Sequence, residues 1–287
     1  MSADSRQLYR GFDAGTAKPS FGPDGLAVDG AGRGKGVSYH LIGVAEPSET
    51  VSAGAYARLA APVLRDVASR GRLPIVAGGT GLYIRALLEG LSELPEADPS
   101  VRAELAAEAE SLGLPALHRR LAVCDPEAAA AIPAANRQRL IRALEVQRLT
   151  GRPISSFWKA APSSGREWRP LYLSIVWSAA ELKERIASRA RLMWPAILAE
   201  TRSLLERWTG REPAFQSLGY REALACLEGR VTSSAGLDLM IRATNAYAKR
   251  QRTWFSGQLP GNAAIPGGPE SAMLSAALEA ARQGPRG

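Results

Sequence analysis

Two cysteines and two histidines are all that this 287-residue chain offers for thiolate or imidazole chemistry. Cys124 and Cys226 lie far apart, with no Cys-x-x-Cys between them. A structural zinc site needs four ligands of these types, and a disulfide framework needs patterned cysteines. Both are excluded, and the two thiols read as reduced side chains in a reducing compartment. No run of about eighteen apolar residues occurs, so no membrane-spanning helix is expected. No basic-then-apolar segment opens the chain, so no secretory leader is expected and the location implied is the cytoplasm. Internal repeats are absent as well. Acidic charge is in short supply: 28 Asp and Glu face 36 Lys and Arg, a formal net charge of +8. That balance suits an acidic partner such as a nucleic acid or a diphosphate, or else a merely solvated basic surface.

What is present is concentrated first in residues 1–19. This stretch holds Asp4, Asp13, several hydroxyls and bases, and almost no apolar run. A carboxylate beside a hydroxyl, as in Asp4-Ser5, is suited to act as a general base. The same pair is equally suited to cap a helix or turn. Residues 20–38 are glycine-rich and read as a loop. Within it Gly32-Arg-Gly-Lys35 imitates part of a phosphate loop but has Asp29 where the first glycine belongs, and reads as a decoy.

Tyr39 to Val44 is a short strand candidate, with His40 as a structural histidine. Ser52 opens a helix whose Tyr56, Leu59, Ala60, Val63, Leu64 and Val67 recur at helical spacing. Pro62 is expected to kink it, and Gly71 to end it. Leu73 to Ala77 reads as a strand running into Gly78-Gly-Thr-Gly81 and another helix. Strand, glycine turn and helix together point backbone N–H groups at an anion. The region 93–165 reads as an all-helical insertion, with starts marked by Asp98-Pro99, Leu114-Pro115, Asp125-Pro126 and Asn136. Arg137, Arg139, Arg142 and Arg148 face a single acid, Glu145, in one of its helices, which suggests a phosphate-facing side. Strand character returns over Leu171–Trp177. Ser178-Ala-Ala-Glu181 is a capping box, and its helix carries Arg185 and Arg189 on one face. A basic helix from Asp238 to Phe255 ends in Trp254, a ring that either stacks on RNA bases or anchors the core. After Gly257 the tail reads as peripheral. The division is thus 1–92 with 166–287 as an α/β core, and 93–165 as the insertion.

Asp4-Ser-Arg-Gln7 and Tyr9-Arg-Gly-Phe-Asp-Ala-Gly-Thr-Ala-Lys-Pro19 resemble the signature of the tRNA dimethylallyltransferases, also called tRNA isopentenyltransferases. Further matches follow in order: His40-Leu-Ile, Gly78-Gly-Thr-Gly-Leu-Tyr83, Gln138-Arg-Leu-Ile-Arg142, Arg185-Ile-Ala-Ser-Arg189, Leu218-Gly-Tyr-Arg221 and Ala248-Lys-Arg-Gln251. The resemblance runs from Ser2 to about Phe255. It implies an α/β fold with a parallel sheet of the P-loop nucleotide-kinase type. It implies transfer of a dimethylallyl group from dimethylallyl diphosphate to N6 of the adenosine 3′ of the anticodon.

The resemblance also assigns roles. Asp4 takes the N6 proton, and Thr80 and Arg189 complete the catalytic set. Contact with the tRNA anticodon stem-loop falls to Asp4, Ser5, Arg6, Gln7, Thr80, Arg102, Gln138, Arg139, Leu140, Ile141, Arg142, Gln216, Gly219, Tyr220 and Arg221. Mg²⁺ is the implied cofactor, with no ligands identified, and the chain is expected to be a monomer. The family's Gly-x-x-x-x-Gly-Lys-Ser/Thr does not occur among the 287 residues. The expectation is that a βα unit of roughly thirty residues is absent before Asp4, so that tRNA is held weakly and transfer is lost. A tRNA-binding protein without activity and a small nucleotide kinase are the other classes left open.

Overall fold

The computed structural model describes residues 1–22, 26–28, 36–92, 94–158, 167–259 and 262–284. The look-alike Gly32-Arg-Gly-Lys35 and the expected insertion boundaries at 93 and 165 lie outside the described residues. Two compact units emerge: Met1–Leu88 with Arg166–Gly287, and Glu89–Gly165.

The first unit opens with Met1 to Ala3 running parallel to Ile75–Ala77. The terminal amine of Met1 donates to the Ile75 carbonyl at 2.8 Å, and the Ala3 amide to that of Ala77 at 2.8 Å. On its other side the Ser2 amide donates to the His40 carbonyl at 2.9 Å. The strand expected over Tyr39–Val44 does not form. Leu41 and Gly43 both take left-handed backbone angles, at φ +60° each, and an extended ladder cannot pass through two such residues. Leu73 to Ala77 pairs only through an isolated bridge between Ser2 and Ala77, and Leu73 and Ile75 are exposed.

A short antiparallel pair, β1 (Ser20–Phe21) and β2 (Ala27–Val28), precedes the first helices. Helix α1 (Ala53–Ser69) begins where Ser52 accepts from the Ala55 amide at 3.1 Å. It runs through Pro62 to Ser69, and Gly71 follows at φ +66°. Its buried stripe is Tyr56, Ala60 and Leu64, every fourth residue. Leu59 falls outside that stripe and is exposed. Helix α2 (Gly81–Glu89) follows the glycine turn.

The second unit is helical among its described residues. It holds α3 (Pro99–Leu112), α4 (Leu114–Cys124), α5 (Pro126–Ala131), α6 (Arg137–Thr150) and α7 (Ile154–Trp158). Asp98, Asp125 and Asn136 each accept from backbone N–H groups of the first turn they precede. Asp125 also accepts from the Ser155 amide at 2.9 Å, which ties α7 to the start of α5. Leu105, Leu117, Leu121, Ala128, Leu140 and Leu144 fill the core.

The chain returns to the first unit with β3 (Leu173–Val176) and α8 (Ala179–Leu204). The capping box of Ser178 and Glu181 forms. The 26-residue α8 continues through Pro195. A 3₁₀ turn (Pro213–Gln216) leads to α9 (Tyr220–Leu227) and α10 (Ser233–Gln258). Thr232 caps α10, whose first residue, Ser233, comes five positions before the expected start. The tail after Gly257 is not peripheral. Its short apolar run forms β4 (Ala263–Pro266), parallel to β3 with Ile175 opposite Ile265. Ile265 is buried, and α11 (Glu270–Gln283) follows. The result is a mixed α/β chain, mostly helical, with a small parallel sheet. Helices α8, α9 and α10 pack on one another. Phe12 meets the rings of Phe215 and Tyr220 at 5.1 and 4.7 Å between centroids. Among the described residues no helix is long and apolar enough to cross a membrane.

Candidate active site

Asp4 turns out to be both cap and candidate base. Its Oδ1 accepts from the Arg6 amide at 2.7 Å and the Gln7 amide at 3.4 Å, which closes the turn after it. Its Oδ2 has no hydrogen bond among the described residues, so one acceptor oxygen remains for a substrate proton. The turn brings Ser5 to Thr80: the Ser5 amide donates to Thr80 Oγ1 at 3.0 Å. The Thr80 amide in turn donates to the Ala3 carbonyl at 3.1 Å. Asp4 and Thr80 are therefore brought together, although 76 positions separate them. Gln7 does a different job from the one expected. It accepts from Ser2 Oγ at 2.8 Å and donates to the Thr16 carbonyl at 3.1 Å, so its amide anchors the N-terminal loop. Arg6 reaches the Pro213 carbonyl at 3.4 Å.

Helix α10 forms the other side; the resemblance marked its Ala248–Gln251 without giving that stretch a role. Gln251 Nε2 donates to the Gly79 carbonyl at 2.8 Å, and the Tyr247 hydroxyl reaches the same oxygen at 3.4 Å. Burial first, and then the nearby Asp4 charge, keep the Tyr247 phenol protonated, while a bond to Thr80 works the other way. Tyr247 and Gln251 stand four residues apart, hence on one helix face. That spacing was the available signal. Close approach explains the turn's glycines. A Cβ on Gly78 would stand 2.3 Å from the Ala3 carbonyl carbon, and one on Gly79 would stand 2.0 Å from Gln251 Nε2. The Trp254 ring lies against Gly81, which favours the anchor reading over base stacking.

The loop 13–18 is held by Glu200 of α8, also missed from sequence. Glu200 accepts from the Asp13 amide at 2.9 Å, the Ala14 amide at 3.0 Å and the Tyr220 hydroxyl. The Gly15 amide donates to the same hydroxyl at 2.9 Å. Lys18 donates to Asp13 at 2.7 Å and to the Tyr9 carbonyl, with its side chain almost wholly buried. The Tyr220 side chain is therefore part of the core: it is fully buried beside Phe12 and both of its hydroxyl bonds are internal. Burial, then hydrogen bonding to Glu200, raise its pKa. Gly219 is buried too and donates its amide to Glu222 at 2.8 Å. Gln216 is exposed. Arg221 is half exposed and paired with Glu222 at 2.6 Å.

Arg185 and Arg189 lie exposed on α8. The Arg185 guanidinium stacks 4.0 Å over the Trp177 ring. Arg189 meets only the sulfur of Met193, at 3.3 Å, and no carboxylate among the described residues. No hydrogen bond links it there to Asp4 or Thr80.

In the helical unit, Gln138 and Arg139 are exposed on the first turn of α6, and Ile141 is half-buried. Leu140 is fully buried among the core leucines, so its side chain has no access to RNA. Arg142 donates to Glu145 at 2.6 Å and to the Pro95 carbonyl at 2.7 Å. Arg102 donates to Glu145 at 2.8 Å. The expected imbalance of four arginines against one acid is corrected by α3. Its Glu110 and Glu104 pair with Arg137 at 2.9 Å and Arg148 at 2.7 Å. Arg139 alone of the four has no ion pair among the described residues.

No group of three metal-ligating side chains exists among the described residues. Asp4 and Thr80 offer one carboxylate and one hydroxyl, a set that holds Mg²⁺ only together with substrate phosphates and water.

A carboxylate with one open oxygen beside a threonine, on an α/β protein, suits a group-transfer site that deprotonates a nucleophile. Comparison with known proteins agrees with that class. Residues 7–258 match the IPP transferase family. The tRNA dimethylallyltransferase of Halorhodospira halophila is 43% identical over 269 residues, 91% of this chain and 82% of that protein. That of Myxococcus xanthus is 42% identical over 257 residues, 89% of this chain and 80% of its own length. Among solved structures, the full-length tRNA isopentenylpyrophosphate transferase of Bacillus halodurans superposes with a TM-score of 0.64 at 33% identity, covering 98% of this chain and 86% of that one. A eukaryotic dimethylallyltransferase solved acting on tRNA reaches 0.74 over 98% of this chain and 70% of its own; at 21% identity it speaks to the fold alone. The chain belongs to the IPP transferase family, and its α/β fold is of the P-loop nucleotide-kinase type that these neighbours share.

Proposed function

We propose that the chain modifies tRNA by transferring a dimethylallyl group from dimethylallyl diphosphate to N6 of the adenosine 3′ of the anticodon. The observation that carries the reading is the open Oδ2 of Asp4, held beside Thr80 by the turn that Asp4 itself caps. The allylic C–O bond breaks and its electron pair leaves with the diphosphate. The new bond joins that carbon to N6, and the N6 proton passes to Asp4. Thr80, braced by Ser5 and by Tyr247, orients the acceptor amine. Arg189, free of carboxylates among the described residues, meets the departing charge. Mg²⁺ bound together with the diphosphate would neutralise part of its charge, and no step here passes through it. The stem binds through exposed arginines such as Arg139 and Arg221. A target base in a single-stranded loop can be extruded into a pocket at modest cost.

The test is dimethylallyl incorporation into an anticodon stem-loop by the unaltered chain and by Asp4→Asn, at matched RNA occupancy. The variant should be slower by roughly 100- to 10,000-fold, with RNA affinity nearly unchanged. Equal rates would remove Asp4 from the mechanism. Binding without any incorporation by the unaltered chain would leave a tRNA-binding protein in place of a transferase.

A further inference from the structure

We propose that Glu145 is a positioning residue for RNA, which fixes the guanidiniums of Arg102 and Arg142 as a paired site for the tRNA backbone. The proposal rests on the tRNA reading above. Glu145 is completely buried, flanked in α6 by Ala143, Leu144 and Val146, each fully buried as well. Placing a carboxylate there carries a desolvation penalty, and a well-packed apolar residue at such a site is often as stabilising or more so. Packing alone therefore gives no reason for an acid at this position.

Its hydrogen bonds supply one. Oε1 accepts from the Asp98 amide at 2.9 Å and from Arg102 Nε at 2.8 Å. Oε2 accepts from Arg142 Nη1 at 2.6 Å. One buried anion thus serves two cations, from α3 and from α6. The two arginine side chains remain 45% and 24% exposed, respectively. Arg102 commits only its Nε, which leaves its terminal nitrogens without partners among the described residues. Arg142 is pinned further by the Pro95 carbonyl. A guanidinium already held in one geometry loses less freedom when it binds a phosphate. Gln138 stands one turn from Arg142 and Arg139 three positions from it, both exposed, so α6 continues the polar surface beyond the fork.

The test exploits a sign. Glu145→Gln removes a negative charge from a surface meant for a polyanion. If Glu145 matters only through its charge, binding of an anticodon stem-loop should tighten. If it positions the arginines, binding should weaken about 10-fold, and the dependence of log K on log salt should become shallower by about one to two phosphates' worth, at ~0.9 each. Binding by the full chain is measured across salt concentrations, with a thermal melt to confirm folding. A second variant, Arg102→Lys, keeps the charge but loses the planar fork at a half-exposed position. It should also weaken binding several-fold. Unchanged or tighter binding by Glu145→Gln overturns the positioning role. Should that variant fail to fold, normal affinity and slope in Arg102→Lys overturns it instead. Absence of any binding by the unaltered chain overturns the tRNA reading itself, and this proposal with it.

Discussion

Replacing Tyr220 by phenylalanine separates a structural tyrosine from one that touches RNA. The resemblance to the tRNA-modifying family implies RNA contact at this position, whereas the ring is fully buried against Phe12. The substitution keeps the ring, so no cavity opens. What it removes is one hydroxyl that donates to the Glu200 carboxylate and accepts from the Gly15 amide at 2.9 Å. A hydrogen bond to a charged group contributes about 1.5–3 kcal/mol. The Gly15 amide is only partly buried and water can recover some of its loss. Glu200 keeps the Asp13 and Ala14 amides, so the loop stays attached. The expected loss is about 2 kcal/mol. For a unit of about two hundred residues, that lowers the melting temperature by about 4–8 °C. Thermal unfolding of the full chain at neutral pH, followed by near-ultraviolet circular dichroism, reports directly on this aromatic cluster. Stem-loop affinity is measured beside it and should not move. A melting temperature within about 1 °C of the unaltered chain, together with clearly weaker stem-loop binding, would refute the reasoning and return Tyr220 to the RNA surface.

Three further outcomes follow from other parts of the chain. Gly81→Ala would place a Cβ 2.1 Å from the Trp254 ring; overpacking of this kind costs about 1–3 kcal/mol, and an unchanged melt would show that the indole moves aside. Burial opposes the charges of Glu145 and Asp125, yet arginine and backbone hydrogen bonds outweigh it and lower both pKa values. Their stabilisation is therefore complete above the ordinary values of 4.5 and 3.8 and is lost as pH falls through the lowered ones. An acid titration of stability between about pH 5 and pH 2 should be shallower for Glu145→Gln, and an identical curve would deny the depressed pKa. Arg139→Ala should weaken stem-loop binding and reduce the salt slope by about one unit with little change in stability, because no ion pair holds Arg139 among the described residues; an unchanged slope would make it a solvated side chain.

Local chemistry was legible in the amino-acid order. Ser52, Asp98, Asp125, Asn136 and the Ser178–Glu181 box cap the helices they were expected to cap, because a cap acts on backbone groups two or three residues away. Arg185 and Arg189 share a face because one turn of helix separates them. Asp4 and Thr80 stood out as polar residues at a chain start and in a glycine turn. That they form one site was implied by the resemblance and is made physical by the Ser5–Thr80 hydrogen bond.

Everything that depends on distant partners waited for the tertiary structure. The short apolar stretch at Tyr39 looks like strand, yet left-handed turns at Leu41 and Gly43 break it. The tail after Gly257 looks peripheral until Ala263–Pro266 finds Leu173–Val176, some ninety positions earlier, and completes a parallel pair. Arg137 and Arg148 of α6 look unpaired until α3 brings Glu110 and Glu104 beside them. Glu145 and Glu200 read as ordinary helix-surface acids, since periodicity reports which face a residue is on but not which charges will be carried to it. Tyr247 and Gln251 acquire meaning only where α10 crosses Gly79 closely enough to bond its carbonyl. Capping and helical spacing are set within a few residues of chain, whereas the partner of a buried charge or of an edge strand is set by packing, which the order of residues does not express.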